Sequence, residues 1–99
     1  MKNQSEQIEK GFNSDIMVNG IPYHIQTEDW GRQNPFFVSR VFSNGAVIKS
    51  IKMPYSTLLS KGAQADQEEV RFALRCQHEQ VLDLLVSGQL INSMPTIKR

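Results

Sequence analysis

His24, Gln26 and Glu28 alternate along one stretch of the chain, the spacing that sets side chains on a single face of a strand. Such a polar strip, with Arg40 and Lys49 on strands nearby, could hold a small polar ligand between charges and hydrogen-bond donors. Just beyond it, Glu28-Asp29-Trp30-Gly31 sets two carboxylates and an indole where the chain leaves a strand, a position at which binding residues gather. His24, Gln26, Glu28, Asp29, Trp30 and Arg40 are therefore the candidate ligand-binding set. The plainer reading of the same residues is a solvated sheet face with cross-strand charge pairs, followed by a turn whose Trp30 caps the edge of the core.

Other chemistries are less well served. A metal centre would have to draw on His24, Glu28, His78 and Glu79, and no paired spacing such as His-x-x-x-His joins them. Cys76 falls away from the apolar stripe of its helix, beside the acidic Glu79 and Asp83, neighbours that do not activate a thiol. A hydrolase built on His24 or His78 would lack a recognisable nucleophile, base and orienting group, and the glycines sit in turns, away from any strand-to-helix phosphate loop. The residues thus predict neither an enzyme nor a resident metal or cofactor.

What must position these groups is written most clearly in two dipeptides, Asn19-Gly20 and Asn44-Gly45, each between strand-like runs. Asn-Gly suits a type I′ hairpin turn, because both central residues need positive φ. The first hairpin, about Phe12 to Asp29, pairs Val18 with Ile21, Ile16 with Tyr23, Ser14 with Ile25 and Phe12 with Thr27, all on one largely apolar face. The second, about Phe36 to Met53, would pair Phe42 with Val47, Val41 with Ile48, Arg40 with Lys49 and Val38 with Ile51. Pro54 stops the last strand, and Ser56 to Leu59 reads as one helical turn. Asp66-Gln67-Glu68-Glu69 has the form of a capping box, and the helix it opens carries Val70, Ala73, Leu74, Val81, Leu84 and Leu85 as one stripe, with Gln77 sharing it and Gly88 ending it. The predicted architecture is α+β: a four-stranded antiparallel sheet of two hairpins followed by one C-terminal amphipathic helix. It forms a single domain over residues 11–90, with a flexible lead over 1–10 and a loose tail over 91–99.

Bulk properties narrow the partners. The 99 residues carry 11 basic and 10 acidic side chains, a net charge of +1, which gives no basic surplus for general nucleic-acid binding. No apolar run approaches the roughly 18 residues that span a bilayer, so no membrane insertion is expected. Met1 to Lys10 has only Met1 and Ile8 as apolar residues, and Cys76 is the one cysteine, which together predict a reduced, cytoplasmic protein.

The string Tyr23-His24-Ile25-Gln26-Thr27-Glu28-Asp29, then Gly31, Pro35 and a strand ending in Phe42, resembles a small bacterial domain family that reads Tyr-His-Val-Gln-Thr-Glu-Asp-x-Gly, then a hairpin with paired glycines and a terminal helix. The resemblance spans residues 12–90 and is most specific over Tyr23 to Asp29. Asn44 stands where that pattern has the first of two glycines, and Asn tolerates the positive φ required there. Members of the family look to occur alone or beside tetratricopeptide repeats, in predatory, gliding and metal-reducing bacteria. The resemblance implies an accessory or scaffolding module and assigns no catalytic residue.

The second hairpin supplies the best functional lead. Both of its faces are rich in apolar residues, and a single helix covers one face of a sheet. Either Phe36, Val38, Phe42, Val47 and Ile51 or else Phe37, Val41 and Ile48 would line the uncovered face; the first set, with Phe72 on the back of the helix, makes up the six candidate interface residues. These six predict a non-enzymatic protein–protein interaction module, self-associating through an apolar sheet face or an exposed edge, its partner a protein or a second copy of the chain.

Overall fold

The computed structural model describes residues 11–92. Four strands, β1 (Gly11–Val18), β2 (Ile21–Asp29), β3 (Phe36–Ser43) and β4 (Ala46–Pro54), form one antiparallel sheet in the order β1-β2-β3-β4. A helical turn α1 (Tyr55–Leu58), a 3-10 turn (Gly62–Gln64), the long helix α2 (Gln67–Val86) and a last turn α3 (Gln89–Asn92) follow. The arrangement is the expected α+β one. No described helix is long and apolar enough to cross a membrane.

Local signals account for most of this. Asn19 and Gly20 have φ of 53° and 82°, Asn44 and Gly45 of 54° and 80°, so both hairpins turn through the positive-φ pairs that match strand twist. The first hairpin adopts the expected register, Val18 opposite Ile21 through Phe12 opposite Thr27. At the start of α2 the Asp66 carboxylate accepts from the Glu69 amide at 2.9 Å, and the Glu69 carboxylate accepts from the Asp66 amide at 3.0 Å, completing the capping box. Gly88 ends the helix at φ 85°.

The second hairpin departs from its expected register. Phe42 does pair with Val47, but Val41 then pairs with Lys49, a bulge that leaves Ile48 as the extra residue. Every later pair slips by one, so Ile51 faces Ser39 and Lys52 faces Val38, in place of Val38 facing Ile51. A one-residue slip exchanges the two faces of a strand. It carries Ile51 to the helix side, where it packs, half-buried, against the cluster that holds Ile25, Val41 and Val81, and it turns Ser50 and Lys52 outward. Unbulged pairing would have set Lys52 beside Phe37, in the core.

The expected domain end at residue 90 falls within the last helical turn. Gln89–Asn92 is helical and Leu90, 2% exposed, closes the core beside Leu85. The expected flexible lead over 1–10 and the residues beyond Asn92 lie outside the described residues.

The core has two apolar clusters, one of Phe37, Tyr55, Leu59, Val70 and Leu74, the other of Ile25, Val41, Val81, Leu85 and Leu90. On each of β1, β3 and α2, polar residues come between them in sequence: Ser14, Ser39, and Gln77 with His78; on β2, Thr27 lies two residues beyond Ile25 of the second cluster.

Candidate functional site

The outer face of the sheet, opposite α2, gathers much of the predicted ligand strip. Glu28 and Gln26 point outward from β2, and Arg40 projects from β3 opposite Gln26. Glu28 Oε1 accepts from Arg40 Nη1 at 3.4 Å and from Trp30 Nε1 at 3.3 Å, and its Oε2 accepts from Gln26 Nε2 at 3.3 Å. The Lys52 ammonium, brought outward by the bulge, lies 4.3 Å from the Phe36 ring centroid and 5.1 Å from that of Trp30. Between Glu28 and Lys52 on the neighbouring strands sits Val38, which is only 4% exposed although it is on the uncovered side. Long polar side chains lying along the sheet keep water from it. Both Glu28 oxygens have protein partners, so this cluster closes over the strand that carries it.

Asp29 and His24 stand apart from that cluster. Asp29 accepts from the Tyr55 hydroxyl and, at 2.9 Å, from the Gly31 amide, which pins the start of α1 to the end of β2. Burial and the Asp29 carboxylate both push the Tyr55 phenol above its ordinary range. Arg32 extends the tie, donating to the carbonyls of Ala63 and Ala65 at 2.7 and 2.6 Å. Trp30 belongs to the outer cluster through Glu28 and does not cap the core edge. His24 lies nearer the hairpin turns, its Nδ1 2.9 Å from Asp15 Oδ1 and its ring 5.7 Å from that of Phe42.

The six residues expected to form one interface fall into three places. Phe36, Val38, Phe42 and Val47 share the outer face; Ile51, half-buried, packs against the core from the helix side; Phe72, 68% exposed, projects from the back of α2. The outer face is most open at its turn end. There Val47 is 49% exposed and Met17 67% exposed, and Met17, Pro22, His24 and Phe42 line a shallow depression of about 670 Å³ with Asp15 and Asn44. Met17 on β1 and Pro22 on β2 share the polar face of the first hairpin and were not among the expected site residues; their register opposite one another sets both beside the Phe42 end. Phe72 lines a separate groove of about 580 Å³ with Leu58, Leu59, Ala73 and the exposed Cys76.

Beneath the sheet lies a constellation absent from the sequence reading. His78 is 5% exposed, its Nε2 2.8 Å from Ser14 Oγ and its Nδ1 2.7 Å from Thr27 Oγ1. Thr27 Oγ1 is 2.8 Å from Ser39 Oγ, which accepts from Gln77 Nε2 at 3.0 Å. One proton order serves both fully buried hydroxyls: Gln77 donates to Ser39, Ser39 to Thr27, Thr27 to Nδ1, and Nε2–H to the half-buried Ser14. Reversing it would leave Ser39 with two donors aimed at it and its own proton unplaced. Burial holds the imidazole below its usual pKa, partly opposed by Glu79, so the neutral ring this order requires is the favoured one. A serine oxygen at hydrogen-bond distance from an imidazole has nucleophile–base geometry. Yet neither Ser14 nor His78 lines either of the two larger cavities, and the other ring nitrogen meets a hydroxyl where a carboxylate would orient it. His24 and Glu28 lie across the sheet from His78, so the four residues weighed as metal ligands do not converge.

Compared with protein-family models, with curated proteins and with solved structures, the chain matches none.

Proposed function

We propose that this protein is a non-enzymatic protein–protein interaction module that engages its partner with the turn end of the outer sheet face. The observation that supports this reading is the grouping of exposed Met17 with Pro22 and Phe42 around one depression rimmed by Asp15, His24 and Asn44, with exposed Val47 on β4 opposite Phe42. Apolar side chains exposed singly are ordinary, whereas a group of them framed by polar residues is the usual form of a contact surface. The rest of the outer face is already shielded by Glu28, Arg40 and Lys52, which concentrates contact at this end. The buried Ser14–His78–Thr27 row then acts as a structural belt that fixes how α2 docks on the sheet.

Chemical cross-linking in lysate of cells producing the tagged chain, followed by mass spectrometry, tests this. Met17→Glu and Val47→Glu, each made singly, are expected to abolish a cross-linked species that the unaltered chain forms, with melting temperature unchanged. A species equally abundant in both variants would remove the turn end from the interface.

A further inference from the structure

We propose that two copies of this chain pair through β1, joining their sheets into one of eight strands about a two-fold axis. This rests on the interaction-module reading and names a second copy as a partner along the β1 edge, which meets the turn-end depression at Asp15 and Met17.

The two edges of the sheet are not alike. β4 carries the devices that discourage strand addition: the bulge at Ile48, the lysines Lys49 and Lys52, and Pro54 as its last residue. β1 carries none of them. Its register with β2 is unbroken from Gly11 to Val18, it has no proline or lysine, and Asp15 is its one charge. Among the described residues no strand lies on its far side.

Its free hydrogen-bonding groups are fixed by the turn. In a type I′ turn the amide of Ile21 bonds the carbonyl of Val18, so Val18, Ile16, Ser14 and Phe12 direct their main-chain groups at β2. The groups of Gly11, Asn13, Asp15 and Met17 therefore point away from the sheet. A second β1 running antiparallel must bond through these same residues, which restricts the register to a few choices. One sets Asp15 directly opposite its own copy, with like charges in contact. The next sets Asn13 opposite Asp15 of the second copy, Phe12 opposite its Ile16, and Ser14 on the axis. That register places an amide against each carboxylate and an aromatic ring against each branched aliphatic. It also covers a row that the single chain leaves half-buried along its whole length: Phe12, Ser14, Ile16 and Val18.

The helices permit it. α2 runs over β1, β2 and β3, centred on β2. Across the seam the two β2 strands stand three strand spacings apart, about 14 Å. Packed helices need only about 8–10 Å between axes. Both copies of α2 thus fit on the same side of the continuous sheet.

Sedimentation of the full chain from micromolar to millimolar concentration tests the pairing. The expected mass rises to twice that of the monomer. Asn13→Pro removes an outward amide while leaving each bond to β2, and is expected to hold the mass at monomer with an unchanged circular-dichroism melt. Val47→Glu, on the opposite edge strand, should dimerise as the unaltered chain does; loss of partner cross-linking with retention of the dimer separates the two surfaces. A second readout holds even if the proline variant unfolds. In a Cys76→Ser background, Asn13→Cys chains mixed with Asp15→Cys chains and oxidised should give chiefly the mixed disulfide, since those positions face each other at about 5.5 Å between Cα atoms. A chain monomeric at millimolar concentration, a folded Asn13→Pro dimer, or no preference for the mixed disulfide would each overturn the proposal.

Discussion

His78 Nδ1 lies 2.7 Å from Thr27 Oγ1, inside a core that is otherwise apolar above and below that contact. The pair ties the middle of α2 to the middle of β2, and its neighbours Ser14, Ser39 and Gln77 spread the tie across three strands. Buried polar groups are costly when any one of them is left without a partner. A helix slipped by one residue along the sheet would strand several at once, so the row selects one docking of α2.

The first consequence is a pH dependence. His78 titrates below its ordinary value of 6.5 in the folded chain because burial disfavours the charged ring. As pH falls, the unfolded chain takes up that proton first. The stabilisation is therefore complete above pH 6.5 and declines below it, until the pH reaches the lowered folded value. Urea midpoints measured at pH 7.5 and at a pH about one unit under 6.5 are expected to differ more in the natural chain than in His78→Gln. An equal difference in both would mean that other groups carry the acid sensitivity.

Removing the middle of the row is expected to cost more than removing its end. Thr27→Val deprives Nδ1 of its donor and Ser39 of its acceptor, and should destabilise by about 2–3 kcal/mol. Ser14→Ala, at the half-buried edge strand, should cost about 1 kcal/mol. Equilibrium unfolding in urea gives both. A double-mutant cycle between Thr27→Val and His78→Leu should return a coupling of about 1 kcal/mol or more, and additivity within about 0.4 kcal/mol would sink the view of a cooperative row.

How far the chain's letters disclosed this arrangement differs from one hairpin to the next. Asn19-Gly20 set the first register completely, because a two-residue turn leaves no slack and every apolar residue of that hairpin except Met17 and Pro22 favours the same face. Asn44-Gly45 set the second only as far as Phe42 opposite Val47. Beyond it, two alternative faces were nearly equal in apolar content, and what decided between them was the cost of burying Lys52 beside Phe37, which pairing rules read from the turn do not weigh. The buried belt was hidden for a different reason. Ser14, Thr27 and Ser39 are unremarkable strand residues taken singly; their meaning comes from lying at one level with Gln77 and His78, and that level exists only once all four elements are in register. Gln77 in the helix stripe, with Ser14 and Thr27 on the apolar face of the first hairpin, was the visible trace.

The bulge makes a prediction that reverses the simplest expectation for this surface. Had Val38 and Ile51 lined an open face, a carboxylate at either would leave the fold intact. Val38 is 4% exposed, so Val38→Asp should destabilise by about 3 kcal/mol or more, and Ile51→Asp, at a position half-buried against the core, should destabilise by about 2 kcal/mol. Val47→Asp should stay within about 0.5 kcal/mol of the natural chain. Thermal melts of the three variants settle the register: a stable Ile51→Asp protein would place Ile51 outside and erase the bulge.

The capping box at Asp66 and Glu69 isolates how much α2 depends on its own start. Both reciprocal bonds are formed, at 2.9 and 3.0 Å, and α2 is the one long helix that covers the described sheet. Asp66→Ala removes the acceptor for the Glu69 amide and a negative charge beside the positive end of the helix, and should cost about 1 kcal/mol. Because Val70, Ala73 and Leu74 follow within two turns and anchor the first apolar cluster, fraying there should also loosen the Tyr55–Asp29 tie that holds α1. Amide hydrogen exchange is expected to quicken over Gln67 to Leu74 and Tyr55 while Val81 and Leu85, held by the second cluster, keep their protection. Uniform loss of protection across α2 would show instead that the two clusters open as a single unit.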